Sequence, residues 1–200
     1  LALALVLLPS LPGQALADSQ ESIVGGTTTT ITTWPSTVAL LSHGTADSIT
    51  SQFCGGTLVS SRWVVTAAHC TKGRAAAQID AVTGRTDLST SQGQRIQVQA
   101  IYEHPAHDSN TEEADLALLR LASASAQPAL GLIPRDDPQG LATPGTQGVT
   151  VGWGDTVQGS GLGSAILAQV MVPVLDSAVA NQADWYNGWV LPHMFAAGFA

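Results

Sequence analysis

The sequence predicts an all-β protein built from antiparallel barrels or sandwiches. Three observations carry this expectation. The apolar and alternating runs are short, and each is bounded by Gly, Ser, Asp or Pro. Twenty glycines and ten prolines among 200 residues imply many turns. Long stretches with the 3.6-residue period of an amphipathic helix are hard to find.

The first element is an apolar run, LALALVLL, followed by PSLPGQALA. It closes on Ala15-Leu16-Ala17, the small-x-small pattern of a secretory cleavage site, so residues 1–17 are expected to be a signal peptide. Pro9 and Pro12 break the run too soon for a membrane span. A buried N-terminal strand or helix is the alternative. Neither an initiator Met nor a basic segment precedes the run, and the sequence is expected to begin inside the signal. A short polar piece, DSQES, covers 18–22.

From Ile23 onward the text reads as β. Strands are expected at 37–43, 53–61, 63–68, 95–102, 115–122, 149–154 and 167–175. In RIQVQAIY the alternation puts Ile96, Val98 and Ala100 on one face, and Gln97 and Gln99 on the other. Residues 126–145, rich in Pro, Gly and Asp, lack periodicity and are expected to link two halves. The segment NQADWYNGWVLPHMFAAGFA is too mixed to assign.

Composition narrows the function. At 44% hydrophobic residues the chain can build a real core, for one domain or two small ones. The formal net charge is -8, and Lys72 is the single lysine. Such an acidic surface excludes nucleic acid and anionic membranes as natural partners. Export implies an oxidising compartment, where the two cysteines, Cys54 and Cys70, can pair. A disulfide there could simply staple two strands, or it could also pin the backbone beside His69. Zinc is not expected, because no second Cys/His pair stands at ligand spacing.

The residues that could carry chemistry centre on TAAHC. A lone histidine is weak evidence, but His69 has company. TAAHC resembles the histidine motif of chymotrypsin-type serine proteases. IVGG at Ile23 resembles the mature N-terminus of that family, and FCGGTLVS the strand carrying the partner cysteine. DLALLRL resembles the segment with the catalytic aspartate, here Asp115, and VGWG at 151–154 a strand of the second barrel. His69 lies 46 residues after Ile23 and Asp115 46 after His69. Five motifs in the same order make a specific signature. The resemblance runs from Ile23 to about Gly198 and is nearest to bacterial trypsin-like members.

The resemblance implies two six-stranded antiparallel Greek-key barrels, 23–135 and 136–200, the second incomplete here. It makes 18–22 a short propeptide and Ile23 the activation N-terminus. It implies a Cys54–Cys70 disulfide, polypeptide substrates, protein protease inhibitors as further partners, no cofactor, and a secreted monomer. It also assigns roles. A serine hydroxyl needs a base within hydrogen-bond reach, and imidazole can be that base if a carboxylate fixes its tautomer. His69 is the expected base and Asp115 the expected carboxylate. Read alone, Asp115 would be a strand-entry residue.

The nucleophile is not found. The family holds its serine in GDSGG, and no serine here stands in that frame; Ser160 is flanked as QGSGL and Ser164 as LGSAI. MFAAG at 194–198 resembles the segment just before it, so the sequence is expected to stop short of the serine and to be inactive alone. A cysteine pair of many relatives is replaced by alanines at Ala196 and near Ala180. GSGLGS (159–164) does not fit a dinucleotide fingerprint and is expected to be a surface loop. His104 and His107, an H-x-x-H pair that could offer two metal ligands on a loop, are expected simply to be solvated, and Glu112 and Glu113 to be surface charge. A secreted serine endopeptidase is the expectation. A non-catalytic binding protein on the same scaffold is the rival, and an unrelated secreted β protein the remote alternative.

Overall fold

The computed structural model describes residues 23–155, 161, 163–192 and 194–199. The expected signal peptide and propeptide lie outside them. Nine strands are seen among the described residues: β1 (Thr27–Thr28), β2 (Thr37–Ser42), β3 (Gln52–Ser60), β4 (Trp63–Thr66), β5 (Ile79–Thr83), β6 (Gln94–Glu103), β7 (Ala117–Leu121), β8 (Gln147–Gly152) and β9 (Ala168–Pro173). One helical turn, α1 (Ser177–Ala180), follows, its first amide capped by the Asp176 carboxylate at 2.7 Å.

Six strands close a barrel in the order β2-β3-β4-β7-β6-β5, and every pairing is antiparallel. Alternation explains the inside. In β7, Ala117, Leu119 and Leu121 are buried while Leu118 and Arg120 face outward. Val38, Leu40, Leu58, Val64, Ile96 and Val98 complete the packing. The regular alternation expected for RIQVQAIY breaks after Val98. A register shift lies between Val98 and Ala100, and Ile101 packs on the core instead. A bulge adds one residue and thereby exchanges the faces.

β5 is a strand that the sequence pattern does not show. Its five residues, IDAVT, are all buried. Ile79 and Ala81 face the barrel core, and Val82 joins a second cluster with Trp153 and Leu167. A strand covered on both sides shows no alternation, and Asp80 disguises it further. Asp80 is tolerated because Arg95 Nε lies 2.8 Å from one of its oxygens and His43 Nδ1 2.9 Å from the other. Arg95 also reaches Asp47 at 2.7 Å, and the fully buried Arg85 places Nη1 3.0 Å from the same carboxylate.

The second unit is a three-stranded sheet, β1-β9-β8. β1 therefore belongs with the late strands and not with the barrel that follows it. Ala39, Leu41, Val82 and Leu88 pack against Trp153 and Leu167, which joins the two units through one apolar layer. The connection after β7 runs without regular structure to β8, as its composition implied. Among the described residues no helix is long and apolar enough to cross a membrane.

Candidate active site

β4 and β7 run side by side, with Val64 opposite Leu119 and Thr66 opposite Ala117. This register determines what lies beyond the strand ends. Three residues past Thr66 comes His69, and two before Ala117 comes Asp115. Ala68 is fully buried, and its carbonyl accepts from the Thr71 and Lys72 amides at 3.0 Å each. The small alanine lets the chain turn tightly against the barrel wall. That turn aims both the amide and the ring of His69 at one carboxylate. The His69 backbone N–H donates to Asp115 Oδ1 at 2.8 Å, and Nδ1 lies 2.7 Å from Oδ2.

The electrostatics follow. Burial raises the Asp115 pKa. The side-chain and backbone hydrogen bonds from His69, then the charges of His69 and His107, outweigh it and hold the carboxyl below its ordinary 3.8. An ionised carboxylate only accepts, so Nδ1 carries the proton and Nε2 is left with a lone pair. Half of the His69 side chain is open to solvent (56% exposed), whereas Asp115 is mostly covered (21%).

Cys54 and Cys70 are joined as a disulfide with Cα atoms 6.0 Å apart. The bond ties β3 to the residue after His69, and Cys70 Sγ lies 3.5 Å from Nε2. Arg74 caps the same corner, its guanidinium 3.9 Å over the Phe53 ring.

Two residues read as solvated surface are drawn into the site. His104 and His107 do not act together. His104 Nδ1 accepts from the Ala106 amide at 3.2 Å. The His107 side chain is only 8% exposed, with Nε2 3.3 Å from Glu112 Oε2 and 3.6 Å from Asp115 Oδ1. No periodicity could reveal this, since the contact depends on how one loop folds back. Ligand atoms of His69, Glu112 and Asp115 lie within 4.8 Å of one another, but Nδ1 is committed to its bond with Asp115. Cys54, His69 and Cys70 are equally close, and there the disulfide consumes both thiols.

Ile23 is partly covered and lines a cleft between β3 and residues 150–154. Ser164 is buried, its Oγ accepting from the Ile166 amide at 3.1 Å. Ser160, with Gly159 and Leu162 of the expected surface loop, lies outside the described residues. Ala180 and Ala196 are both buried in the second unit.

The sequence model of the family "Trypsin" matches residues 23–200. The chain belongs to the trypsin family. It is 36% identical over 176 residues to a trypsin of Saccharopolyspora erythraea, covering 88% of this chain and 73% of that one. A Xenopus laevis trypsin is 32% identical over 197 residues (97% and 75%), and a Bos taurus chymotrypsin-like elastase family member 1 is 32% identical over 192 (92% and 70%). The structure of the Vibrio cholerae VesB protease superimposes with a TM-score of 0.69 at 34% identity. That match covers 80% of this chain and 47% of the solved chain. Membership of this serine protease family gives the trypsin-like barrel its peptidase context.

Proposed function

We propose that the chain supplies the base and the orienting carboxylate of a secreted serine endopeptidase. The observation that carries this is the double hold of Asp115 on His69, at 2.8 Å on the amide and 2.7 Å on the ring. Nε2 takes the proton of a serine hydroxyl as its oxygen attacks the scissile carbonyl carbon. The tetrahedral oxyanion collapses, the carbon–nitrogen bond breaks, and the new imidazolium returns that proton to the leaving amine. Water then repeats the sequence on the acyl-enzyme with the same base. Asp115 stays ionised throughout and stabilises the imidazolium.

No serine of these 200 residues stands in a GDSGG frame, so the chain by itself is expected to be inactive. Ile23 becomes the N-terminus on activation. Its ammonium is then buried against a carboxylate near the serine, a useful arrangement only when both partners are present. Polypeptides are the substrates, and protein inhibitors would bind the same cleft. Expression of the gene with the coding sequence after Ala200 tests the reading. A GDSGG segment there, with peptidase activity abolished by His69→Ala, is the expected result. Another residue at the serine position would favour a non-catalytic binding protein. Full activity in His69→Ala would overturn the assignment.

A further inference from the structure

We infer that His107 is a positioning residue for the His69–Asp115 pair, acting through the loop that delivers Asp115. The inference rests on the proposed role of that pair. In the loop between β6 and β7 the His107, Asp108, Thr111 and Leu116 amides donate to the carbonyls of His104, Glu113, Asp108 and Ala114, and the His104 amide donates to that of Leu116. Two non-glycine residues in it, Glu112 and Ala114, both adopt φ of 53°. Left-handed backbone at such residues costs on the order of 1 kcal/mol each and persists only where the surroundings impose it.

His107 is the side chain placed to impose it. Its ring is nearly buried, and Nε2 faces Glu112 Oε2 and Asp115 Oδ1. A nitrogen lone pair directed at two carboxylates would be repelled, so Nε2 carries a proton. That proton hydrogen-bonds Glu112 and lies within electrostatic reach of Asp115. Glu112, one side of the strained pair, is thereby tied down. The Asp115 oxygen not used by the His69 ring gains a positive partner besides the His69 amide. The groups facing Asp115 are thus His69 from the turn after β4, and His107 and Glu112 from its own loop, the Glu112 carboxylate lying within 4.8 Å of both Asp115 and His69. Without His107 the two carboxylates would face each other with no proton between them. The loop would lose its reason to keep φ positive at Glu112, and Asp115 would be free to turn from Nδ1.

The test needs no serine. In the 200-residue chain the His69 Nδ1 proton is followed by NMR as a far-downfield ring resonance, together with the titration of the Asp115 carboxyl. The variants are His107→Leu, which removes the donor, and His107→Gln, whose amide N–H can replace Nε2–H. Wild type and His107→Gln should keep the resonance. In His107→Leu it should exchange at least about tenfold faster, and the Asp115 titration should move upward. Circular dichroism verifies folding, and His107→Asn, too short to reach, replaces a leucine variant that fails to fold. In the serine-bearing protease, His107→Leu should lower kcat on the order of 10- to 100-fold at unchanged KM, with recovery in His107→Gln. An unchanged proton and carboxyl in a folded donor-less variant would overturn the inference. Absence of the resonance in the wild type would instead remove the His69–Asp115 reading on which it stands.

Discussion

Replacing Asp115 by asparagine should leave the barrel folded and reverse the proton on the His69 ring. The side chain keeps its shape but retains one acceptor. If the remaining oxygen accepts from the His69 amide, as Oδ1 does at 2.8 Å, the new NH2 faces Nδ1 across 2.7 Å. In the opposite orientation the NH2 meets two donors, the His69 amide and the proton on His107 Nε2. Each such conflict leaves a donor unsatisfied at about 1–3 kcal/mol. The first orientation has no conflict once His69 moves its proton from Nδ1 to Nε2, so that arrangement should win. A protonated Nε2 cannot accept from a serine. The same exchange in the general Ser-His-Asp template lowers kcat about 10⁴-fold, which corresponds to about 5 kcal/mol of barrel-independent barrier. Nitrogen-15 NMR of the His69 ring reads the tautomer in this chain, and steady-state kinetics reads kcat in the serine-bearing protease. Nδ1 still protonated in the variant, or kcat within tenfold of wild type, would refute the reasoning.

Loss of the Cys54–Cys70 bond, by reduction or by a double serine variant, should lower stability by about 3 kcal/mol, since the bond closes a 16-residue loop. Urea unfolding measures this, and two alkylatable thiols in freshly exported protein would show that the bond does not form. Gly56→Ala should destabilise by about 1–3 kcal/mol, because the added Cβ would meet Val64 Cγ1 at 2.7 Å and the Val65 carbonyl at 2.9 Å. Its melting temperature should fall by several degrees, and an unchanged value would show that β3 and β4 are looser than described. Asp47 and Asp115 both have lowered pKa values; burial raises each, and the hydrogen bonds and charges of Arg95 and Arg85, or of His69 and His107, prevail. Their contribution is complete above 3.8 and disappears as pH falls through the lower folded values, so the urea midpoint should drop only on the acid side of 3.8, and less steeply in Asp47→Asn. N-terminal sequencing of the active secreted protease should give Ile-Val-Gly-Gly. A trypsin-specific enzyme should not produce that end, because Ser22 precedes the bond.

Much of the barrel was legible because its strands are short apolar or alternating runs bounded by turn residues. β7 was found this way, although its outward Leu118 is as apolar as the inward Leu119 and Leu121 and hides which face is buried. β5 was not legible, since a strand buried on both faces has no period and Asp80 resembles a turn residue until Arg95 and His43 are seen beside it. β1 is two threonines within a run of four, and nothing local marks where it pairs. At the site, the meeting of His69 and Asp115 was implied by the resemblance of TAAHC and DLALLRL to the family's motifs, since Asp115 read alone is a strand-entry residue. The meeting of Asp115 with His107 was not. It depends on a loop returning over thirteen positions through two left-handed residues, which composition does not encode.

The pairing of β1 with β9 has a kinetic side. Thr27 lies opposite Gln169, 142 residues later in the chain. Closing so long a loop costs entropy before the contact repays it, so this pairing is expected to form after the barrel strands have met their nearer neighbours. The N-terminal strap is therefore expected to dock late, and a two-residue strand gives it little to hold by. Until that strap docks, Ile23 is expected to stay accessible to solvent and to other proteins. After folding, the amides of this strap should be among the first to exchange with solvent and the first to fray under heat. A strap that docks late and frays early would give the proposed processing at Ile23 its window of access.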